Sequence, residues 1–360
     1  MITKNIKFKN FLIKKNFLNV SNKLKLLLKE DNKILRTLGA NYRYSYTKKV
    51  IKKFRKFRNI TLIGMGGSIL GSQAIYDFLK YKIKKKVFFI SNLDNRNLEN
   101  FKKINNLNLI ISKSGNTLET ISNSNIFMKK NDKNIFITEN TNNYLFNLGQ
   151  KLKAEIIEHK NYIGGRYSVL SEVGMLPAEL MGLSEKKFKQ FDNLIKDRKF
   201  LNKLIINVGN ILYFAKKDKF NSIILNYDER SESIFKWYQQ LVAESLGKKS
   251  KGILPIISSM PKDNHSLMQL YLDGPKKSFY TFFHVYDKRS LKLKSNQLLS
   301  PMKYLKNMDI NKIIYSQKIA TENIFIKKKI PFRSFEIIKR DEKSLGELFS
   351  FFILETILLG

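Results

Sequence analysis

A glycine-rich segment, GMGGSILG at 64–71, follows the apolar run ITLIG and precedes a helix-like stretch. Its spacing departs from two nucleotide-binding fingerprints, because Ile69 stands at the third glycine position of the dinucleotide motif and the lysine of the P-loop is missing. Glycines still let the backbone approach a ligand closely, and a helix N-terminus offers free N–H groups to an anion. Gly66, Gly67 and Ser68 are therefore candidate anion-binding residues, with a plain strand-to-helix turn as the alternative.

A second polar segment, Ser112-Lys113-Ser114-Gly115-Asn116-Thr117, follows the apolar run LNLII and also precedes a helix-like stretch. Open α/β sheets bind ligands at the carboxyl ends of their strands, and each hydroxyl can donate one hydrogen bond to a phosphoryl oxygen. The candidate phosphate-binding residues are therefore Ser112, Lys113, Ser114 and Thr117. The alternative is that the hydroxyls only cap the next helix.

An arginine and a glutamate have the chemistry needed for proton transfer. Arg166 follows paired glycines in the turn GGRYS, from which its guanidinium could stabilise developing negative charge. A helix is predicted at 234–247. Trp237, Gln240 and Glu244 share one of its faces at i, i+3 and i+7, and Glu244 could act as a general base if partial burial raised its pKa. The alternative for Arg166 is an ordinary surface arginine, and the alternative for Glu244 is a position on the solvated edge of the helix.

The three histidines differ in their surroundings. His159 and His284 fall at or within strand-like runs, where a packing role is expected. His265 stands in the sequence DNHS at the apparent start of a short helix, where the helix N-terminus disfavours the imidazolium and keeps the ring able to exchange a proton near neutral pH. The histidines are not at metal-ligand spacing and no carboxylate pair accompanies them, so we expect no metal site and no other cofactor.

The composition describes a folded protein with a large excess of positive charge. The 360 residues are 43% hydrophobic and include 67 Lys and Arg against 30 Asp and Glu, which gives a formal net charge of +37. The lysines are spread along the chain and no nucleic-acid-binding motif accompanies them, so we expect a solvated surface that attracts small anions and no nucleic-acid partner. Because the sequence has no cysteine, signal-peptide pattern or apolar run of about 18 residues, it predicts a cytoplasmic protein that does not associate with a membrane.

Alternating apolar runs and amphipathic stretches predict the fold class α/β. The first series of runs is ITLIG, VFFIS, LNLIIS and NIFIT, and the second is NSIILN, GILPII, SFYTFFHVY and FRSFEII. Such runs are typical of buried parallel strands joined by crossover helices. We therefore predict two tandem three-layer α/β/α domains with parallel sheets, at residues 1–195 and 196–360. The Lys-rich first fifty residues are expected to be helical and to pack on the first domain.

Taken together, five segments resemble the glucose-6-phosphate isomerase (phosphoglucose isomerase) family, in the family's order. They are GMGGSILG (64–71), SKSGNTLET (112–120), GGRYSVLSEVGMLPAEL (164–180), WYQQLVAESLGK (237–248) and NHSLMQLYLDGP (264–275). The resemblance implies two sugar-isomerase-type domains. It also implies an isomerase that interconverts glucose 6-phosphate and fructose 6-phosphate, a step of glycolysis and gluconeogenesis.

The resemblance further implies roles for the candidate residues. Glu244 matches the base that moves a proton between C2 and C1 through a cis-enediol, and Arg166 matches the arginine that stabilises the enediolate. His265 matches the histidine that helps to open the hexose ring, Glu119 a carboxylate that orients it, and Gln240 an amide that contacts the substrate. The hydroxyls that match the phosphate-binding positions are those of Ser68, Ser112, Ser114 and Thr117.

The resemblance also implies a homodimer in which His265 reaches the active site of the neighbouring subunit. In the family a C-terminal segment carries a lysine that assists ring opening, whereas this sequence ends at Gly360, where that segment would start. We therefore expect either a truncated chain or ring opening by His265 alone. If the segment is missing, one alternative function is a sugar-phosphate-binding protein with impaired or no catalysis. A second alternative is an isomerase that also uses mannose 6-phosphate, because the chemistry of Glu244 serves both sugars.

Overall fold

Two five-stranded sheets organise the part of the chain that the computed structural model describes, namely residues 1–13, 17–93, 106–287, 290–294 and 297–360. The strands are β1 (Ile6–Lys9), β2 (Asn59–Gly64), β3 (Lys86–Ile90), β4 (Leu107–Ile111), β5 (Lys133–Thr138), β6 (Glu155–Glu158), β7 (Asn221–Asn226), β8 (Leu254–Ser259), β9 (Ser278–Val285) and β10 (Phe332–Ile337). The helices are α1 (Leu18–Lys29), α2 (Lys33–Arg36), α3 (Lys48–Phe54), α4 (Leu70–Leu79), α5 (Leu118–Phe127), α6 (Tyr144–Lys151), α7 (Glu172–Leu180), α8 (Glu185–Phe188), α9 (Phe191–Leu194), α10 (Arg198–Ala215), α11 (Glu232–Leu246), α12 (Met268–Asp273), α13 (Ile310–Lys327) and α14 (Glu342–Leu359).

The first sheet is parallel throughout and has the strand order β3-β2-β4-β5-β6. Its neighbouring strands β2 and β4 are buried along almost their whole length, as expected for apolar runs that crossover helices cover on both faces. Gly64 at the end of β2 lies opposite Ile111 at the end of β4. The two polar segments identified in the sequence therefore leave the carboxyl edge of this sheet side by side.

The second sheet has the order β1-β10-β9-β7-β8, and all its pairings are parallel except that of β1 with β10. The predicted α/β class and both predicted series of strands are confirmed. The proposed division after residue 195 falls between α9 and α10, and it stays a prediction.

The first fifty residues contain the expected helices α1 and α2, but they also contain a strand that packs on the second domain instead of the first. Strand β1 adds an antiparallel edge to the second sheet, with Phe8 of β1 opposite Phe335 of β10. Ile6 and Phe8 are buried while Lys7 and Lys9 are exposed, which is the alternation of a strand with one covered face. Four residues are too few for this alternation to stand out in a lysine-rich sequence.

A buried polar network fixes α11 to the second sheet. Arg333 of β10 and Glu355 of α14 form an ion pair in which both side chains are fully buried. Tyr238 of α11 donates a hydrogen bond of 2.7 Å to this carboxylate. Arg333 also donates to Asn207 at 2.9 Å and to Thr281 at 3.0 Å. Because a buried ion pair is tolerated only when its polar groups are satisfied, these bonds together hold the helix in one position.

The histidines within the two sheets have the packing roles predicted for them. His159 and His284 are each 1% exposed, and burial lowers the pKa of each imidazole to about 4. Both rings are therefore neutral near pH 7 and belong to the interior of the protein.

Within the ranges that the structure describes, no helix has both the length and the apolar character required to cross a membrane.

Candidate active site

Two glycine-containing 3₁₀ turns, Gly66–Ser68 and Gly165–Leu170, touch each other backbone to backbone. A Cβ atom on Gly67 would lie 2.2 Å from the carbonyl carbon of Gly165, where no side chain can fit. Ser168 strengthens the contact, because its hydroxyl donates to the carbonyl oxygen of Gly165 at 2.7 Å and to that of Gly67 at 3.2 Å. The glycine-rich segment and the turn that carries the candidate arginine therefore form one unit.

The second polar segment folds back on itself after β4. The hydroxyl oxygens of Ser112 and Thr117 lie 2.8 Å apart, and Gly115 between them has a φ of +68°. A Cβ atom on Gly115 would overlap the side chain of Asn143, so both the backbone conformation and the space require glycine. Thr117 occupies the N-cap position of α5, but its side chain makes no capping hydrogen bond. The structure thus does not support the alternative in which these hydroxyls only cap the helix.

The second polar segment also contains Lys113 and Ser114, and Glu119 follows it in the chain. These three side chains differ in their partners. The ammonium of Lys113 donates to the carbonyl oxygen of Asn161 at 2.6 Å and lies 3.7 Å from the carboxylate of Glu139. Ser114 is exposed, and Glu119 is half-buried in the first turn of α5. Ser114 and Glu119 are thus accessible to a ligand, whereas Lys113 would have to leave its present partners to bind one.

Arg166 connects the two glycine turns to α11. Its Nη1 donates to Oε1 of Glu244 at 2.6 Å, and its Nε donates to Oγ of Ser245 at 2.8 Å. The side chain of Arg166 is 20% exposed and that of Glu244 is 50% exposed. The two side chains that the sequence singles out for proton transfer and charge stabilisation are therefore in direct contact, at a surface that a substrate can reach.

Gln240 lies one helical turn before Glu244 and completes the cluster. Its Nε2 donates to Oε2 of Glu244 at 3.2 Å, and its Oε1 is buried without a hydrogen-bond partner among the described residues. The same amide lies over Gly66, whose φ is +52° and whose Cβ atom, if present, would be 2.8 Å from Nε2. The unpaired oxygen can accept a hydrogen bond from a substrate hydroxyl. Trp237, by contrast, packs against Phe349 in the core.

His265 lies apart from this cluster. It is exposed and follows a short 3₁₀ turn, and α12 begins only at Met268, so the prediction that it stands at a helix N-terminus is wrong. Gln239 of α11 donates to the carbonyl oxygen of Pro255 near the amino end of β8, whereas His265 follows the carboxyl end of that strand. Six residues of extended chain span roughly 20 Å. Glu244 and His265 of one chain therefore lie toward opposite ends of β8.

In the portion of the chain that the structure covers, no three His, Asp or Glu side chains are placed to hold a metal ion together.

Ser245 and Tyr167 belong to the site but were not singled out in the sequence. The two hydroxyl oxygens are 2.9 Å apart, and the ring of Tyr167 lies 4.9 Å from the guanidinium of Arg166. Each residue is the chain neighbour of a candidate catalytic residue, and this adjacency is the one signal that could have identified them. A serine on a helix surface has no pattern of its own.

The contact between the two glycine turns predicts that substitutions of Gly67 and of Gly165 have different effects on stability. Gly67→Ala places a methyl group against the backbone of Gly165, and we expect it to lower the free energy of unfolding by about 1–3 kcal/mol through overpacking. Gly165→Ala is the matched control, because its Cβ atom would lie 3.7 Å from Gly67, an ordinary contact. The control should change stability by no more than about 0.5 kcal/mol. Denaturant unfolding measures both, and equal effects would contradict the asymmetry of the contact.

Comparison with known proteins assigns the chain to a family. The family model described as phosphoglucose isomerase matches residues 35–258. The glucose-6-phosphate isomerase of Methanocaldococcus jannaschii is 36% identical over 64% of this chain and 61% of its own length. The probable glucose-6-phosphate isomerase of Methanococcus maripaludis is 31% identical over 85% of this chain and 74% of its own length. The chain therefore spans under two thirds of the first relative and about three quarters of the second.

Solved structures share the arrangement of the two sheets. A hypothetical protein from Thermus thermophilus superposes with a TM-score of 0.81 over 96% of this chain and 88% of that one, at 18% identity. A glucose-6-phosphate isomerase from Chlamydia trachomatis superposes with a TM-score of 0.68 over 87% of this chain and 67% of that one, at 20% identity. These likenesses support the fold of two sugar-isomerase-type domains. Since the family model covers more than half of the chain, and a relative above 30% identity covers more than four fifths of it, the chain belongs to the phosphoglucose isomerase family.

Proposed function

We propose that this chain interconverts glucose 6-phosphate and fructose 6-phosphate, with Glu244 as the base. The observation that carries the proposal is the 2.6 Å contact between Glu244 and Arg166, next to two hydroxyl-bearing segments at the edge of one sheet. The names of the relatives, which are glucose-6-phosphate isomerases, support the same reaction.

The sugar phosphate would bind through its phosphate group at the carboxyl edge of the first sheet. Ser68 and the Ser112–Thr117 segment follow neighbouring strands, so their hydroxyls can donate to different oxygens of one phosphate. Ser114 is exposed beside them, and the N-terminus of α5 adds favourable potential for an anion. This arrangement fixes one end of the sugar and leaves the other end for α11.

The proton transfer requires a base and a cation on the same side of the open-chain sugar. Glu244 takes the proton from C2, and the electron pair of the broken C–H bond forms the double bond between C2 and C1. Negative charge then develops on the oxygen at C1, where the guanidinium of Arg166 stabilises it. Glu244 returns its proton to C1, and the hydroxyl proton of C2 passes to the oxygen at C1, which leaves a ketone at C2.

Two further side chains would orient the sugar. The unpaired Oε1 of Gln240 accepts a hydrogen bond from a hydroxyl of the substrate, and Nε2 of the same amide keeps the carboxylate of Glu244 in place. Glu119, in the first turn of α5, offers a carboxylate near the phosphate-binding segment. Such positioning matters because small displacements of the reacting atoms cost large factors in rate.

We further propose that ring opening uses His265 from a second copy of the chain. His265 is exposed and is separated from Glu244 by the length of β8, so it cannot reach the sugar bound to its own chain. A homodimer would bring the histidine of one subunit to the base of the other.

Neither alternative function gains support. A binding protein without catalysis would not need Arg166 and Gln240 both in contact with Glu244. The two relatives are named for the glucose 6-phosphate reaction rather than for mannose 6-phosphate.

The role of Glu244 can be tested by removing its basicity while keeping its shape. We expect Glu244→Gln to lower kcat by at least about 10²-fold with little change in KM, because the amide cannot accept the proton but still occupies the site. Glu232→Gln, at the opposite end of α11, is the matched control and should retain normal turnover. Near-normal turnover in Glu244→Gln would exclude the assignment.

The phosphate site can be tested with a double variant. Ser112→Ala combined with Thr117→Ala removes two hydroxyl donors and should weaken the binding of a competitive sugar 6-phosphate inhibitor by about 2–4 kcal/mol. Thr120→Ala, which removes a buried hydroxyl from the same helix beyond the segment, controls for general effects on α5. Inhibition constants measure both, and unchanged affinity in the double variant would place the phosphate elsewhere.

The shared site can be tested by complementation. Glu244→Gln and His265→Ala chains should each be inactive alone, whereas a mixed dimer contains one site with an intact base and an intact histidine. After subunit exchange has been confirmed, if necessary by joint unfolding and refolding, the mixture should regain activity. No recovery despite proven exchange would mean that His265 acts within its own chain or not at all.

A further inference from the structure

We infer that Ser245 is a positioning residue that holds Arg166 in place while Glu244 carries the substrate proton. This inference rests on the proposed function, because it assigns Ser245 a task within that reaction. Neither the glycine segments nor the charged residues of the sequence point to it.

The geometry gives Arg166 two acceptors on one turn of α11. Its Nη1 donates to the carboxylate of Glu244 at 2.6 Å, and its Nε donates to the hydroxyl of Ser245 at 2.8 Å. Because the acceptors are chain neighbours, the helix presents both of them to the same guanidinium. Within the described chain these two bonds use two of the five N–H donors of arginine, so three remain for the substrate.

The two acceptors behave differently during the reaction. Glu244 becomes neutral when it takes the proton from C2, and its attraction for the guanidinium falls because the charge-assisted part of the bond is lost. Negative charge develops on the sugar oxygen in that same step, so Arg166 must stay in place when its ionic partner weakens. The hydroxyl of Ser245 is neutral throughout, and its bond to Nε does not depend on the protonation state of Glu244.

The hydroxyl of Ser245 is itself held in place. It lies 2.9 Å from the hydroxyl of Tyr167, the residue after Arg166, and the ring of Tyr167 lies 4.9 Å from the guanidinium. Tyr167 is buried, so this side of the arrangement is anchored in the core. Arg166 is therefore fixed by a hydrogen bond to a neutral hydroxyl and by an aromatic face, in addition to its ion pair with Glu244.

The test is the kinetics of Ser245→Ala in the full chain. Losing one hydrogen bond to a charged group should lower kcat about 10-fold, while KM for the sugar phosphate stays within about 3-fold, since the phosphate contacts are untouched. Ser245→Thr keeps the hydroxyl and should restore most of the lost turnover. Ser233→Ala makes the same change at the other end of α11 and should leave turnover normal.

A double variant separates positioning from general loosening of the helix. Arg166→Met removes all N–H donors of the side chain, so adding Ser245→Ala to it should cause little further loss if Ser245 acts through Arg166. An equal 10-fold loss in both backgrounds would overturn the inference. So would normal turnover in Ser245→Ala, or a failure of Ser245→Thr to recover.

The outcomes distinguish this inference from the function on which it rests. If the unmodified chain does not interconvert the two sugar phosphates, the proposed function fails and the inference fails with it. If the unmodified chain is active and Ser245→Ala matches it, only the inference about Ser245 is overturned.

Discussion

The backbone contact between Gly67 and Gly165 is the constraint on which the candidate site depends. With any side chain at Gly67 the two 3₁₀ turns would separate, because a Cβ atom there would lie 2.2 Å from the carbonyl carbon of Gly165. One turn leads from β2 into the anion-binding segment, and the other presents Arg166. The missing side chain therefore sets the spacing between the proposed phosphate site and the guanidinium that we propose acts on the far end of the sugar.

Helix α11 depends on that unit at one end and on the second sheet along its length. Tyr238 joins the buried pair of Arg333 and Glu355, while Glu244 lies near the C-terminal end of the helix, against Arg166. Taking two charges out of water is costly unless every remaining polar group is bonded, and here the pair is surrounded by bonded side chains. The helix is thus held firmly where it crosses the core, and its last turn presents Glu244 to solvent. A base on such an element keeps its position without needing a rigid loop.

Much of this could be predicted from the sequence, and what could not has physical reasons. The strands β2 and β4 can be recognised in the sequence as continuous runs of branched apolar residues, since both faces of a central parallel strand are buried. Strand β1 could not be found, because its alternation covers four residues and its partner, β10, is more than 320 residues away in the chain. The resemblance to a family implied that Arg166 and Glu244 take part in one reaction, whereas their direct contact is visible only in the structure. Ser245 could not be predicted as a site residue, because its contact with Arg166 exists only in the folded chain.

The orientation of the two sheets separates Glu244 from His265 within one chain. The candidate phosphate-binding segments leave the carboxyl edge of the first sheet, whereas the end of α11 that carries Glu244 lies toward the amino edge of the second sheet, next to the start of β8. The carboxyl edge of the second sheet, where ligands usually bind in such folds, is therefore on the other side of the domain, and His265 lies there. A tandem pair of α/β domains joined in this way uses opposite edges of its two sheets. The carboxyl edge of the second sheet, with the exposed His265, is accordingly the part of the chain that we propose serves the substrate of another copy.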